Sequence, residues 1–118
     1  MPVSQHEFTR IGLLATLPGE RLAKLADRMH RERLGAGQRV LAQGEPGERF
    51  YVVLSGMLAV NQDDRGLRRM LKPGDYFGEV ALALDIPRTA TVSAVTPAVV
   101  ASCDRETFDE FLRPLFAD

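Results

Sequence analysis

The chain has 118 residues, a length that suits one core rather than two, and 45% of them are apolar, the ordinary level for a folded globular domain. Fifteen basic residues against sixteen acidic ones leave a formal charge of -1, which argues against a broad electrostatic footprint for DNA or RNA as partner. No apolar run approaches the ~18–20 residues of a membrane span and the N-terminus carries no basic then apolar export signal, so a cytoplasmic chain without direct membrane insertion is expected.

The opening reads as helical: Ser4 with Glu7 matches a capping box, and Phe8, Ile11, Leu14 and Leu17 recur at helical spacing. Pro18 suits the first position of a second helix, in which Leu22, Leu25, Ala26 and Met29 share one face. These N-terminal helices occupy about residues 1–30. Arg28, Arg31, Glu32 and Arg33 read as a solvated stretch.

From Arg31 onward, short apolar runs alternate with turn residues such as Gly35-Ala36-Gly37, Gly44-Glu45-Pro46-Gly47, Asp63-Asp64-Arg65-Gly66 and Lys72-Pro73-Gly74-Asp75. The spacing predicts strands over 39–42, 49–54, 57–60, 67–71, 89–95 and 98–103, the rhythm of a sandwich or closed barrel. Phe50-Tyr51-Val52-Val53-Leu54 is apolar on both alternating faces and predicts a central strand. Arg65, Arg68 and Arg69 read as solvated charge. Cys103, the one cysteine, sits among apolar neighbours and is expected in the core. His6 and His30 fall at no ligand spacing, and no metal site is expected. Asp104 is placed to cap a last helix with Phe108, Phe111 and Leu112 on one face, which Pro114 should limit. Residues 1–118 are thus expected to form a single α+β domain, with the β-barrel over 31–103 and a C-terminal helix in 104–118.

One segment interrupts the strand pattern: Phe77-Gly78-Glu79-Val80-Ala81-Leu82-Ala83-Leu84-Asp85-Ile86-Pro87-Arg88-Thr89-Ala90-Thr91-Val92. Gly78 permits a close backbone approach, and residues 79–84 can make a short helical turn whose first N–H groups are open to an anion. Arg88, fixed behind Pro87, could bring a guanidinium to the same phosphate. A carboxylate at Glu79 would repel that phosphate unless it faced a sugar hydroxyl instead. Together they describe a ligand with ribose and phosphate close together, a nucleotide.

The segment, spanning 77–92, resembles the phosphate-binding cassette of cyclic nucleotide-binding domains: Phe-Gly-Glu, an aliphatic residue, Ala-Leu, a spacer, then Pro-Arg-Thr-Ala-Thr-Val. Similarity extends outward through Gln43-Gly44-Glu45, Tyr51-Val52-Val53-Leu54-Ser55-Gly56 and Leu71-Lys72-Pro73-Gly74-Asp75-Tyr76. The resemblance implies an eight-stranded antiparallel β-roll, a jelly-roll-like barrel, with N-terminal helices and a short C-terminal helix. It implies cAMP or cGMP as ligand and no catalytic cofactor. Arg88 would pair with the cyclic phosphate and Glu79 would take the ribose 2′-hydroxyl. Gly78, Val80 and Ala81 would give backbone contacts, with Thr89 and Ala90 beside the phosphate or base and Val60 and Phe77 on the apolar side. In this family a hydroxyl at the Thr89 position can help a guanine bind in the syn form, and cAMP binders carry one too. The sequence departs from the family in leaving little chain after Leu112 for a helix over the base, and in carrying no helix-turn-helix.

The leading expectation is therefore a regulatory sensor, not an enzyme, which passes nucleotide binding to an attached or associated effector. The alternative is a degenerate fold of the same type acting as a protein–protein interaction module. A metal-dependent barrel enzyme is disfavoured because residues 31–103 contain no histidine, and a nucleotide hydrolase because no Gly-Lys-(Ser/Thr) phosphate loop occurs.

Overall fold

A computed structural model describes residues 11–116. The capping pair Ser4 and Glu7, with Phe8 and His6, lies outside the described residues. The end of the expected first helix is a single 3₁₀ turn, Leu14–Thr16, seated by the buried side chains of Ile11 and Leu14. Helix α1 (Gly19–Arg28) comes next, and Pro18 stands one position outside it as the cap, its carbonyl accepting from the Leu22 N–H at 2.9 Å. Leu22, Leu25 and Ala26 recur on one side of α1 and are buried together with Met29, as their spacing predicts.

The strands are β1 (His30–Leu34), β2 (Arg39–Leu41), β3 (Arg49–Ser55), β4 (Leu58–Gln62), β5 (Gly66–Leu71), β6 (Tyr76–Phe77), β7 (Thr91–Ala94) and β8 (Ala98–Asp104), with helix α2 (Glu79–Leu84) between β6 and β7. They form two four-stranded antiparallel sheets, ordered β1-β8-β3-β6 and β2-β7-β4-β5, so the β-roll is open rather than a closed barrel. Two strands are not legible in the sequence. β1 is hidden by its charges: Arg31, Glu32 and Arg33 pair in register with Ala101, Val100 and Val99, and the backbone joins the ladder while Glu32 and Arg33 stay solvated. β6 has only two residues, too few to show a period. The strand expected over 89–95 contracts to β7 because Thr89 and Ala90 still belong to the bend after α2.

β3 lies inside its sheet, and both its faces are covered, which is why its sequence is continuously apolar. Phe50 and Val52 pack outward under the helices with Leu25, Met29, Leu82 and Phe108, while Tyr51 and Val53 pack inward with Leu58, Leu71, Phe77 and Val100. Each such side chain contributes about 1.5–3 kcal/mol of burial, so the two clusters fix the sheets against each other and against the helices.

Asp104 caps the C-terminal helical segment as expected, its Oδ1 accepting from the Thr107 N–H at 2.9 Å. The segment itself departs from a plain α-helix. One turn, α3 (Arg105–Thr107), passes into a π turn (Phe108–Leu112) and then a 3₁₀ turn (Arg113–Phe116), so the chain continues helically past Pro114. Proline removes the N–H that would bond the Glu110 carbonyl, and Arg21 Nη2 donates to that carbonyl instead at 3.0 Å. Phe116 returns to the core edge, 5.5 Å from the Tyr76 ring and 5.7 Å from that of Phe108.

Candidate functional site

The site is built where β6 turns into α2. Gly78 makes that turn at a φ of 92°, and a Cβ there would meet the Arg49 carbonyl at 2.9 Å and Arg88 Nη1 at 3.1 Å. Gly47 is needed for a different reason: its Cβ would lie 2.5 Å from that of Ala81 and 3.0 Å from Arg88 Cζ. Two glycines on separate loops therefore leave the space that the Arg88 guanidinium fills.

Arg88 is only 7% exposed, an unusual state for an arginine, and its surroundings explain how it is tolerated. Nη1 donates to the Gly78 carbonyl at 3.0 Å and Nη2 to that of Arg49 at 2.8 Å. Its own backbone is pinned to the β2–β3 loop, the N–H donating to Glu45 and the carbonyl accepting from Gly44, both at 2.8 Å. Burial pulls its pKa below the ordinary arginine value, opposed by Tyr51, Glu48 and Glu79, and the group remains a cation. Both of these side-chain bonds go to carbonyls and not to Glu79, so the two residues are not the surface ion pair that either might make alone.

Glu79, the first residue of α2, is half-buried. Burial pushes its carboxyl above the usual range, while its backbone N–H, Arg69 and Arg88 pull it back down. The result is an acidic group in a poorly hydrated place that feels two cations, disposed to accept a hydrogen bond from a ligand hydroxyl.

All nine residues that the sequence singles out, Val60, Phe77, Gly78, Glu79, Val80, Ala81, Arg88, Thr89 and Ala90, line one open pocket. Phe77 forms a buried wall and stacks on Tyr51 at 4.8 Å with the rings nearly parallel, whereas Thr89 is exposed at the mouth. Leu41, Val92 and Arg69 line the pocket as well, and sequence reasoning missed them. Arg69 is exposed, as its charged neighbourhood suggests, yet it also faces the pocket: it sits opposite Val60 and two residues from the buried Leu71. That spacing, counted from the core residue, is the signal that would have found it. The pocket thus joins an apolar wall to a buried cation, a carboxylate and a second cation at its rim. Neither histidine nor cysteine is among its lining residues.

Residues 31–114 match the family model described as cyclic nucleotide-binding domain. The chain is 39% identical over 104 residues to a cAMP-dependent protein kinase regulatory subunit of Debaryomyces hansenii, covering 88% of this chain and 23% of that protein. It is 37% identical over 114 residues to the cGMP-dependent protein kinase egl-4 of Caenorhabditis briggsae, covering 92% of this chain and 15% of that protein. Among solved structures, the regulatory domain of Toxoplasma gondii PKA with cAMP superposes with a TM-score of 0.90 at 27% identity, over 94% of this chain and 44% of that one. The chain therefore spans less than a quarter of these two curated relatives.

Proposed function

The chain belongs to the cyclic nucleotide-binding domain family, and we propose accordingly that the pocket at the start of α2 takes cAMP or cGMP, with cGMP the tighter ligand, and holds it without turnover. The observation that carries the reading is Arg88. A guanidinium has five N–H donors, and two are used on the Gly78 and Arg49 carbonyls, so three remain for the cyclic phosphate. Those two bonds fix its orientation before a ligand arrives. Glu79 takes the ribose 2′-hydroxyl, Gly78, Val80, Ala81 and Ala90 approach through their backbones, and Val60 and Phe77 cover the apolar side.

The base preference rests on Arg69 and Thr89. Arginine only donates, and guanine offers O6 and N7 as adjacent acceptors, where adenine sets a donor amino group beside N7. The Thr89 hydroxyl at the same mouth adds a further polar group for a guanine. The occupied pocket then biases an attached or associated effector, a protein kinase by analogy with the two relatives, and a cytoplasmic location and a single-domain unit over 1–118 belong to the same reading.

Calorimetric titration with both nucleotides tests it. Saturable binding with cGMP ahead of cAMP is expected, and Arg88→Ala should weaken both by about 2–5 kcal/mol. Arg69→Ala should reduce the preference and spare cAMP. A folded parent that binds neither ligand overturns the function, and a preference undiminished in Arg69→Ala removes Arg69 from base selection.

A further inference from the structure

The nucleotide pocket shares a wall, made by Arg88 and Leu41, with a second cavity of about 370 Å³ between β2, the β2–β3 loop and the start of β3. At the ~30 Å³ that a water takes in the liquid, it has room for a ligand of roughly a dozen non-hydrogen atoms. Three guanidiniums face it, those of Arg39, Arg49 and Arg88, against the carboxylates of Glu45 and Glu48 on the loop.

The positive charge in this cavity is largely unspent. Arg49 donates through Nε and Nη2 to the single Ser102 hydroxyl, at 3.2 and 3.0 Å, and a hydroxyl does not neutralise it. Asp104, its register partner on β8, uses its carboxylate on the Thr107 N–H. Arg39 is exposed, and its side chain is engaged by none of the described residues. The Arg88 guanidinium is held by two carbonyls, which are neutral as well. Both loop carboxylates are exposed at the rim, and Glu48 is drawn off towards Arg105, 3.6 Å away.

A buried phenol points to the same space. Tyr51 is only 8% exposed and stacks its ring on Phe77, yet its hydroxyl has no hydrogen-bond partner among the described residues. A buried tyrosine hydroxyl ordinarily finds one, and the cavity that Tyr51 lines is where it can be met. Burial, aided by Glu32, pushes its pKa above the ordinary phenol value, while Arg88 and Arg49 pull it down. It therefore keeps its proton at neutral pH and is a donor.

We propose that this cavity is a second binding site, for a small oxyanion bearing a phosphate or carboxylate group, held by Arg39, Arg49 and the Tyr51 hydroxyl and antagonistic to the nucleotide through Arg88. Guanidiniums and a phenol offer only donors here, and an oxyanion offers several acceptors to them at once. The site stands without the nucleotide; its antagonism rests on the assignment of a cyclic nucleotide to the pocket in front. Two anions on either side of one fixed guanidinium repel each other and share its charge, so each weakens the other by the same factor.

Inorganic phosphate and succinate are the probes, titrated separately against chloride at matched ionic strength and followed by amide chemical shifts in the parent, Arg39→Gln and Tyr51→Phe. Saturable shifts in residues 39–51 are expected, and the tighter of the two probes identifies the group that the site prefers. Arg39→Gln should weaken binding about fivefold, and Tyr51→Phe, which keeps the ring stack, about two- to fivefold. In the parent, the Kd for cGMP should rise about fivefold with the probe and then level off. Arg39→Gln should bind cGMP as tightly as the parent in chloride and largely lose that rise. A Kd that climbs without levelling off, equally in Arg39→Gln, places the anion on the nucleotide side of Arg88 and overturns the second site. Shifts no larger than those with chloride, or undiminished in both variants, overturn it too. Saturable shifts with an unmoved cGMP Kd overturn the antagonism. A parent that binds the probe but no cyclic nucleotide overturns the assignment of the front pocket and not that of the cavity behind it.

Discussion

Among single residues, the site trades stability for ligand chemistry, and Glu79 shows the sign. Its carboxyl is raised above the usual value chiefly by burial, so the folded state holds the proton more tightly than the unfolded chain does. The charged form is therefore a penalty that grows as pH rises from the ordinary carboxylate value through the raised one, and is full above it. Glu79→Gln should raise the neutral-pH stability of the free protein in urea titrations, and the gain should vanish below the ordinary carboxylate range. The same variant should bind cGMP more weakly, because an amide is a poorer acceptor than a carboxylate. No gain in stability at pH 7 would mean that Glu79 is better hydrated than its burial indicates. Arg88 is less separable, since truncating it also orphans the Gly78 and Arg49 carbonyls, at about 1–3 kcal/mol for each buried group left unpaired. The affinity of Arg88→Ala is thus to be read at a temperature where the variant is still folded.

Among the elements, helix ends are where stability and function meet. Asp104 caps α3 through the Thr107 N–H, and that hydrogen bond holds its carboxyl below the ordinary value. A depressed carboxylate pKa means that the cap stabilises fully above the unfolded value and is lost as pH falls through the folded one. Asp104→Ala should cost about 1 kcal/mol near neutral pH, and the difference from the parent should shrink on acidification. A pH-independent difference would place the effect elsewhere. β1 shows a different property of elements: a strand can be polar on nearly every residue when its pairing with β8 already satisfies its backbone.

Across the whole molecule, the two clusters meet at β3, and Cys103 on β8 lies in the one beneath the helices. Its thiol is fully buried, and burial pushes its pKa up to about 12, so at pH 8 it should resist thiol reagents in the folded protein. Labelling then requires the core to open. A nucleotide at a hundredfold excess over its Kd stabilises the folded state by about 2.7 kcal/mol, which slows labelling through global opening about a hundredfold. A labelling rate indifferent to saturating cGMP would show either that Cys103 is reached by local opening or that the ligand does not bind, and a melting curve taken with the nucleotide distinguishes the two.

Local spacing was enough to read helix α1, most of the strands, the apolar continuity of β3 and the Asp104 cap, while the nine expected site residues that line the pocket followed from the resemblance of residues 77–92 to a known cassette. Each of those features is written in near neighbours: a strand buried on two faces, a carboxylate three residues before an N–H, and a cassette contiguous from Phe77 to Ala90 with Val60 as its only distant member. The folded chain had to supply the rest, namely which carbonyls hold Arg88, that Gly47 yields the space for it, that Arg69 turns from the charged β5 towards the pocket, and that Arg113 reaches back across 31 residues to the Leu82 carbonyl. These are contacts between segments distant in the chain, made largely through backbone groups that every residue possesses, and a sequence does not mark which of its carbonyls will be left unpaired until the fold has used the others.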